Sequence, residues 1–536
     1  MVGLPVTFKK LPSLKITIAA ILFTAILGSL YIMSTKASSN SQIESPLKVA
    51  YPRQWGALKP WLQHTMYADA ILANQFEPLV DMDKTGLIVP YAAKSWTVSE
   101  DFRTFTFEID DRKFSDGTRL TARHFKDAWQ FGLAQQSRVA RQSLGDVTYL
   151  LEGFDEFEKT GELSGIRVLS EDRLQLQFAK PFRSALTELT GSRFSAWINS
   201  GNRILGTGPY VIDETGENKL SLSRNLHSTR MAGFERVDIS VLSPPDAVEA
   251  LKAKKIDLFA FAGRTMQSLS CQNLTPFDIR CLSGLEGGHI AAALNGLPRR
   301  FFSSPSRRRA FASLLMLGTA NHPAFLPRLR PISQTFRIDS QPFLPLQAGR
   351  LSDAAAEDLL RVTDENVNAL IDELRSGPPL RLSYAKGTQI GDWLREYLTS
   401  LGIMLSADSG PQDFVKFLTE TKKEGKADIL VFGGSVADGD PDGLYHILGK
   451  TGSIGAPMFF REGVGALLEE GRQITNKSAI APHYTKVAQK FFEEVPFVHL
   501  GYVIENTLYR QDRVRIDPKT MKSRIREPLA EFQPVL

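Results

Sequence analysis

Cysteine is nearly absent from this 536-residue chain, which contains only Cys271 and Cys281. Neither lies near the N-terminus, which excludes a lipid-modified N-terminal cysteine. The two residues allow one disulfide, which would stabilise the fold by about 2 to 3 kcal/mol because it closes a short loop. Thr275-Pro276 between them suits a turn. Two separate buried thiols are the alternative.

A large charge of one sign is also absent. The formal net charge is +5, and four of these charges belong to Lys9, Lys10, Lys15 and Lys36, in a stretch of 37 residues without Asp or Glu. The rest of the chain therefore carries a charge of only +1. This is too little for the broad basic surface that binds nucleic acid, and we expect no nucleic-acid partner.

Residues 1–37 are predicted to be a targeting segment. Basic residues precede an uncharged run from Ile16 to Met33, and a short polar stretch follows it. Cleavage after Ala37 would make the segment a signal peptide. Retention would make residues 16–33 an N-terminal anchor, since about 20 apolar residues cross a bilayer. A buried core helix is a third interpretation. The first two indicate export, which would expose both cysteines to an oxidising compartment.

Complete enzyme and metal motifs are lacking as well. Residues 438–443 open like a calcium loop, but Gly449 stands where a bidentate glutamate is needed. Residues 443–451 resemble a phosphate loop with the wrong glycine spacing. Residues 433–437 resemble the turn around a nucleophilic serine but end in alanine. The eight histidines contain no H-E-x-x-H motif. We therefore predict a protein that is not an enzyme and has neither metal nor cofactor; an exported hydrolase using Ser435 is a remote alternative.

What the sequence does contain is the alternation typical of short strands and helices. Phe105, Phe107 and Ile109 share one face of a strand predicted over 102–109, and Thr121 precedes a helical pattern. Residues 380–432 alternate strand and helix, which predicts parallel strands joined by helical crossovers. The predicted elements there are strands at 380–384, 403–405 and 428–432 and helices at 390–401 and 414–421. Residues 327–350 are predicted to be a long surface connection, and residues 497–504 a closing strand.

A series of motifs in a fixed order resembles one known family. It comprises Phe76-Glu77-Pro78-Leu79-Val80, Gly86 to Pro90, Ala92 to Trp96, Phe105 to Phe107, Lys113 to Ala122, Gly206 to Tyr210, Ile256 to Leu258, Arg307 to Ala310, Leu401 to Ile403 and Asp440 to Asp442. The series resembles the family 5 extracellular solute-binding proteins, the oligopeptide- and dipeptide-binding receptors of ABC importers.

The resemblance implies an α/β chain with the class II bilobed fold of periplasmic binding proteins and an additional inserted α+β domain. Ligand would lie in the cleft between domains I and III. The predicted limits are 1–37 for the signal peptide or anchor, 46–88, 205–292 and 497–536 for the three parts of domain I, 89–204 for the inserted domain II, and 293–496 for domain III.

The resemblance also implies an acidic residue that follows a strand of domain III and pairs with the α-amine of a bound peptide. Asp438 is the candidate, because a carboxylate and an ammonium form a short, strong hydrogen bond. Gly434, Ser435 and Val436 would offer backbone groups to the peptide. Ile71 is a further candidate contact, with a core position as its alternative.

Two departures from the family pattern concern this loop: Ser435 stands where an aromatic residue is usual, and the spacing from Asp438 to Asp440 is one residue shorter. A third is Pro78, where glycine is common.

The predicted function is that of a monomeric, periplasmic solute-binding protein that captures a peptide and delivers it to the permease subunits of an ABC transporter. The alternative is a membrane-tethered sensor or accessory protein of the same fold that binds a non-peptide solute. Membrane contact would then run through the uncleaved N-terminal segment.

Overall fold

A computed structural model describes residues 45–62, 65–83, 87–135, 146–262, 271–326, 336–343, 347–412, 426–434, 440–449, 462–516 and 529–535. The chain divides into a short N-terminal unit, Met1–Ser45, and a main unit, Pro46–Leu536; the fold below is that of the main unit. No helix in the described ranges combines the length and the apolar composition needed to cross a membrane. The predicted targeting segment lies outside those ranges.

The described helices vary from one turn to five turns. They are Met66–Leu72 (α1), Ala122–Ala134 (α2), Asp146–Leu150 (α3), Phe157–Thr160 (α4), Ala185–Glu188 (α5), Pro244–Lys252 (α6), Pro305–Met316 (α7), Asp353–Leu360 (α8), Asp364–Ser376 (α9), Gln389–Ser400 (α10), Tyr445–Leu448 (α11), Glu462–Arg472 (α12) and Lys477–Glu494 (α13). Short 3-10 turns span Ser192–Phe194, Gln272–Phe277, Phe301–Ser303, Pro441–Leu444 and Leu529–Glu531.

The described strands are mostly short, with two long exceptions. They are Leu47–Tyr51 (β1), Val80–Met82 (β2), Ile88–Pro90 (β3), Ala93–Val98 (β4), Thr104–Ile109 (β5), Ile166–Ser170 (β6), Arg173–Gln177 (β7), Ile198–Ser200 (β8), Arg203–Leu205 (β9), Tyr210–Thr215 (β10), Lys219–Arg224 (β11), Arg236–Val241 (β12), Leu258–Phe259 (β13), Ile279–Leu294 (β14), Phe336–Ile338 (β15), Leu382–Ala385 (β16), Gly410–Gln412 (β17), Ile429–Gly434 (β18), Phe497–Arg510 (β19), Val514–Arg515 (β20) and Gln533–Pro534 (β21).

One mixed sheet runs through most of the main unit. Its order among the described strands is β10-β11-β12-β1-β13-β19-β14-β18-β16-β17, and β15 pairs with β19. We call β1 and β10–β13, with residues 529–535, the first lobe, and β15–β18 with helices α7–α13 the second lobe. Because β13 pairs with β19 and β18 pairs with β14, the two long strands join these lobes.

The long strands β14 and β19 are antiparallel and irregular near their middle. They pair from Ile279 opposite Arg510 to Ala293 opposite Phe497, and the register shifts between Ser283 and Glu286, between Glu286 and Gly288, and between Ile290 and Ala291. Such irregularities bend a strand and raise its twist. The connection between the lobes is therefore two bent strands.

A separate antiparallel sheet, β4-β5-β7-β6, forms what we call the inserted lobe together with helices α2–α5, whose buried residues share its apolar cluster. The alternation predicted for residues 102–109 is confirmed: Phe105, Phe107 and Ile109 are buried, and the residues between them are half-buried. Helix α2 begins after Thr121, whose backbone N–H donates to Nδ1 of His124 at 3.0 Å.

The second lobe contains the predicted parallel strands. β16 pairs in parallel with both β17 and β18, and α10 follows β16. The strand predicted at 403–405 is wrong, because the chain there forms only an isolated bridge between Leu380 and Leu405. The helix predicted at 414–421 lies outside the described residues.

The prediction of a surface connection over 327–350 is wrong for its described part. Residues Phe336–Ile338 form β15, which pairs with β19. Beyond it, Gln341 and Phe343 are buried, and both oxygen and nitrogen of the Gln341 side chain bond to Leu351. This segment lies against the long strands because β15 extends the sheet there.

The apolar core is divided between the lobes. The cluster of the second lobe draws its described buried members from residues 290–503, and that of the inserted lobe from residues 72–197. Two smaller clusters fill the first lobe. Since the clusters do not merge, apolar burial stabilises each lobe from within.

A disulfide joins Cys271 to Cys281 in the first lobe, with their Cα atoms 5.9 Å apart. It ties the 3-10 turn Gln272–Phe277 to the start of β14. The residue limits predicted for the domains stay predictions.

Candidate functional site

The predicted ligand loop begins where β18 ends. Gly434, the last residue of β18, pairs with His289 of β14. Ser435, Val436 and Asp438 lie outside the described residues, and the described chain resumes at Asp440. The two flanks of the loop therefore define its surroundings.

Ile71, the other predicted ligand contact, lies in helix α1 and is fully buried. It belongs to the apolar cluster of the first lobe, with Tyr51 and Tyr67 as fellow members. This is the core position rather than the wall of a cleft, because amphipathic packing of a short helix turns its apolar face inward.

A buried histidine pair lies beside the start of the loop. His289 Nδ1 is 2.6 Å from His499 Nε2, and His499 Nδ1 is 2.7 Å from the carbonyl oxygen of Asp339. A carbonyl only accepts, so His499 carries its proton on Nδ1 and accepts the Nδ1–H of His289. The ring of Tyr502 packs on both imidazoles, and its hydroxyl donates to the carbonyl oxygen of Gln341 at 2.8 Å.

His289 is held neutral. Burial, reinforced by the neighbouring His499, lowers the pKa of His289 well below its usual value. The Nε2 of His289 is buried and has no hydrogen-bond partner among the described residues. A proton there would be costly, since its charge would be buried without a counterion.

On the other flank of the loop, Asp440 binds an arginine of the inserted lobe. Arg183 approaches it with both terminal nitrogens, of which Nη2 lies 2.9 Å from Asp440 Oδ1. Both side chains are nearly nine-tenths buried. Arg183 Nη2 also donates to the hydroxyl of Tyr484 at 3.4 Å. The bidentate arrangement fixes the angle between the two planar groups.

Two residues further on, Asp442 is shared between the inserted and second lobes. Its Oδ2 accepts from Ser184 Oγ at 2.7 Å and from Arg472 Nε at 2.9 Å. Burial raises the pKa of Asp442 although Arg472 opposes the shift. The Arg472 guanidinium also stacks 3.8 Å from the ring centroid of Tyr445.

Glu188 and His446 make the third link between these lobes. Their Oε1 and Nε2 atoms are 2.7 Å apart, and Arg193 approaches the other carboxylate oxygen at 3.8 Å. Burial would raise the pKa of Glu188, but the interaction with His446, helped by Arg193 and Arg472, outweighs it and lowers this pKa to about 2. The carboxylate therefore stays ionised at any ordinary pH.

The sequence pattern around these contacts is typical of a different kind of site. Asp440 and Asp442 form part of the calcium-like pattern at 438–443, yet both carboxylates bind arginine. Within the described ranges, no group of three or more His, Cys, Asp or Glu side chains is placed to hold a metal ion. Arg183, Ser184 and Glu188 carried no motif, and their partners lie more than 250 residues away.

Two surface concavities lie elsewhere. One of about 560 Å³ is lined by residues of α10 and the turn before β17, including Arg395 and Ser409. The other, of about 570 Å³, lies on the first lobe and is lined by charged residues of both signs such as Lys219 and Asp238. Neither contains a residue of the loop flanks.

Comparison with known proteins finds a family model that matches part of the chain. Residues 88–315 match the family described as "Bacterial extracellular solute-binding proteins, family 5 Middle". Among curated relatives, the nickel-binding periplasmic protein of Escherichia coli K12 is 28% identical over 187 residues, which are 32% of each chain. The periplasmic murein peptide-binding protein MppA of the same organism is 27% identical over 176 residues, 29% of this chain and 32% of that one. The matched part thus spans about a third of these relatives.

Solved structures match nearly the whole chain. The protein AgaA of A. tumefaciens R10, in complex with agropinic acid, is 17% identical with a TM-score of 0.75 and covers 92% of this chain and 99% of its own. The ABC transporter-associated periplasmic binding protein DppA of Helicobacter pylori, in complex with the peptide STSA, is 15% identical with a TM-score of 0.75 and covers 93% and 99%. At such identities the likeness concerns the fold.

Proposed function

We propose that this chain, which belongs to the bacterial extracellular solute-binding proteins of family 5, captures a peptide between its first and second lobes and delivers it to the permease of an ABC transporter. The observation that carries the proposal is the division of the core: two lobes with separate apolar clusters are joined by two bent strands. Such a chain binds by closing on a solute without transforming it.

Closure follows from differential contact. A ligand that touches both lobes binds the closed arrangement more tightly than the open one, and it shifts the population by that difference in free energy. The loop between Gly434 and Asp440 suits this role because its first flank pairs with β14, one of the two strands that join the first and second lobes.

Asp438 is the proposed anchor of the peptide. Its carboxylate would pair with the α-ammonium, while the backbone of Gly434, Ser435 and Val436 would bond to the extended ligand as an added strand does. Two relatives named for peptides or complexed with one support this ligand class.

The first test identifies the ligand that the protein carries. Exported protein purified without denaturation is examined by native mass spectrometry, then its released ligand is sequenced. We expect peptides. A non-peptide solute, or no binding across a peptide library, would reject the peptide assignment while leaving the fold untouched.

The second test removes the anchor. Asp438→Ala should weaken peptide binding by about 2 to 5 kcal/mol, because the ammonium would be left without its counterion. Isothermal titration measures the change. Asp372→Ala, a change to an exposed carboxylate of α9 in the second lobe, is the control and should leave the affinity unchanged. Equal affinities for the wild type and Asp438→Ala would remove this residue from the site.

A second candidate function is a membrane-tethered sensor of the same fold that binds a non-peptide solute. The run from Ile16 to Met33 and the agropinic acid and nickel-binding neighbours favour it. N-terminal sequencing of the exported protein separates the candidates: a start at Ser38 supports a free periplasmic protein, and an intact N-terminus supports tethering. We propose a monomer, which light scattering would check.

A further inference from the structure

The inserted lobe and the second lobe meet through a polar contact that we call the clasp. Its members on the inserted lobe are Arg183, Ser184 and Glu188, and its members on the second lobe are Asp440, Asp442 and His446. They form three links: Arg183 to Asp440, Ser184 to Asp442, and Glu188 to His446. Each of these links joins residues 257 or 258 positions apart in the sequence. The hydrogen bond from Arg183 to the hydroxyl of Tyr484 is a further contact between the same lobes.

We infer that the clasp is a separable latch, which holds the inserted lobe against the second lobe in the closed arrangement even without ligand and so sets how readily the protein opens. The link to ligand affinity rests on the proposed function. The latch itself does not, because it concerns the arrangement of the lobes in the empty protein.

The chemistry of the contact suits repeated separation. All three links use charged or hydroxyl groups, which regain hydrogen bonds from water when the lobes part. An apolar contact would instead expose surface that water solvates poorly. The two lobes keep their apolar side chains in separate clusters, and polar interfaces between parts of one chain are the ones that permit relative motion.

Contacts within the second lobe orient the two aspartates of the clasp. Asp440 and Asp442 begin the 3-10 turn Pro441–Leu444, and the side chain of Asp440 accepts the backbone N–H of Asp442 at 3.0 Å. Arg472, also in the second lobe, donates a hydrogen bond from its Nε to Asp442 Oδ2 at 2.9 Å. Both carboxylates are therefore oriented by their own lobe before the inserted lobe arrives, which lowers the entropy lost on closing.

The closed arrangement has a consequence for binding. If the solute makes all of its contacts only in closed molecules, the apparent dissociation constant rises as the closed fraction of the empty protein falls. Breaking the clasp is then expected to weaken ligand binding without changing any residue that touches the ligand.

The test measures the lobes in the ligand-free protein. Dyes are attached after Leu169→Cys in the inserted lobe and Met404→Cys in the second lobe, since both side chains are exposed and the native cysteines are bonded to each other. Single-molecule energy transfer then gives the populations of near and far lobes. Arg183→Ala should shift the ratio of open to closed molecules about tenfold or more toward open.

Two further variants keep the result interpretable. Arg510→Ala breaks an ion pair of similar burial where the end of β19 pairs with β13 of the first lobe, between Arg510 Nη1 and Asp257 Oδ1 at 3.1 Å; it should lower the melting temperature and leave the lobe populations unchanged. The exchange Arg183→Asp with Asp440→Arg should restore part of the closed population that either change alone removes.

Unchanged lobe distances in Arg183→Ala would overturn the latch, because the two lobes would then form one rigid body. An equal opening in Arg510→Ala would also overturn it, because opening would then not depend on the clasp. Neither outcome bears on whether the ligand is a peptide. Conversely, a non-peptide ligand would reject the proposed function and leave the latch measurement valid.

Discussion

Glu77, a residue of the Phe-Glu-Pro-Leu-Val motif, has a structural role that its contacts explain. Its carboxylate is fully buried, and it accepts from Arg112 Nη1 at 2.7 Å and Thr207 Oγ1 at 2.9 Å. Arg230 approaches the other oxygen at 3.8 Å. One glutamate thus binds three segments that are far apart in the sequence, which gives the Phe-Glu-Pro-Leu-Val motif a structural explanation.

Glu77→Gln should destabilise the protein by about 3 to 5 kcal/mol, because it removes the buried counterion of Arg112 and leaves that arginine with only the partly exposed Asp110 at 3.6 Å. Urea denaturation measures the change. Glu108→Gln is the matched control, since its ion pair with Lys94 is about half exposed and exposed pairs contribute about 0 to 1 kcal/mol. Equal losses in the two variants would contradict the account.

The histidine pair should make stability depend on pH. Because the pKa of His289 is lowered in the folded protein, the unfolded chain binds the proton more readily. The free energy of unfolding should then fall as the pH drops below about 6.5, by up to about 1.4 kcal/mol per pH unit for one proton.

His289→Gln tests this dependence, since an amide N–H still donates to His499 but does not titrate there. Unfolding followed by urea between pH 5 and 7 should show a flatter profile than the wild type. Glu188 does not contribute to the slope in this pH range. Because its pKa is lowered to about 2, it changes the free energy of unfolding only below about pH 4.3. A slope as steep in His289→Gln as in the wild type would reject His289 as the source.

At the scale of elements, two crossing segments come so close together that glycine is needed where they meet. The Gly206 to Tyr210 motif runs beside residues 74–77: Gly208 N donates to Gln75 O at 2.9 Å and Tyr210 N to Asn74 O at 3.0 Å. A Cβ on Gly206 would lie 2.0 Å from the carbonyl oxygen of Gln75. Glycine lets the inserted lobe return to the first lobe through this narrow passage.

Gly206→Ala should therefore cost about 1 to 3 kcal/mol, the usual penalty of overpacking, and should be measured by thermal unfolding. Gly216→Ala is the control, because a Cβ there would meet only the carbonyl oxygen of Lys219, at 3.4 Å. A Gly206 variant as stable as the control would mean that the two segments move apart without cost.

The spacing of apolar residues in the sequence predicts those strands and helices whose structure depends on their own residues. The alternating strand β5 and the amphipathic helix α10 were found because burial repeats with period 2 or 3.6. The closing strand was predicted to end at 504 but continues to Arg510, since its length is fixed by pairing with β14 and β13. Residues 336–343 were misassigned for the same reason: their neighbours are distant in sequence.

The contacts that flank the predicted ligand loop could not be predicted from the sequence, for a physical reason. The family motifs led to the loop after β18, but its flanking contacts join His289 to His499 and Arg183 to Asp440, which are 210 and 257 residues apart. Such pairs leave no periodic trace in a single sequence. Only their residue types, histidine and arginine away from any motif, were visible.

At the scale of the whole molecule, separate cores predict separate responses to a cavity. Leu394→Ala in the second lobe and Phe107→Ala in the inserted lobe each remove a fully buried side chain and should cost about 2 to 5 kcal/mol. Hydrogen exchange measured by peptide mass spectrometry should speed up mainly within residues 290–503 for the first variant and within 72–197 for the second. Faster exchange across both regions in either variant would show that the cores unfold together.

The path of the chain has a practical consequence. It enters the second lobe through β14 and leaves it through β19, so that β1 near the start and residues 529–535 near the end both pack in the first lobe. A surface, bead or fusion partner joined at either end therefore holds the same half of the molecule. The second lobe carries no attachment in that arrangement, which suits immobilised biosensors made from this chain.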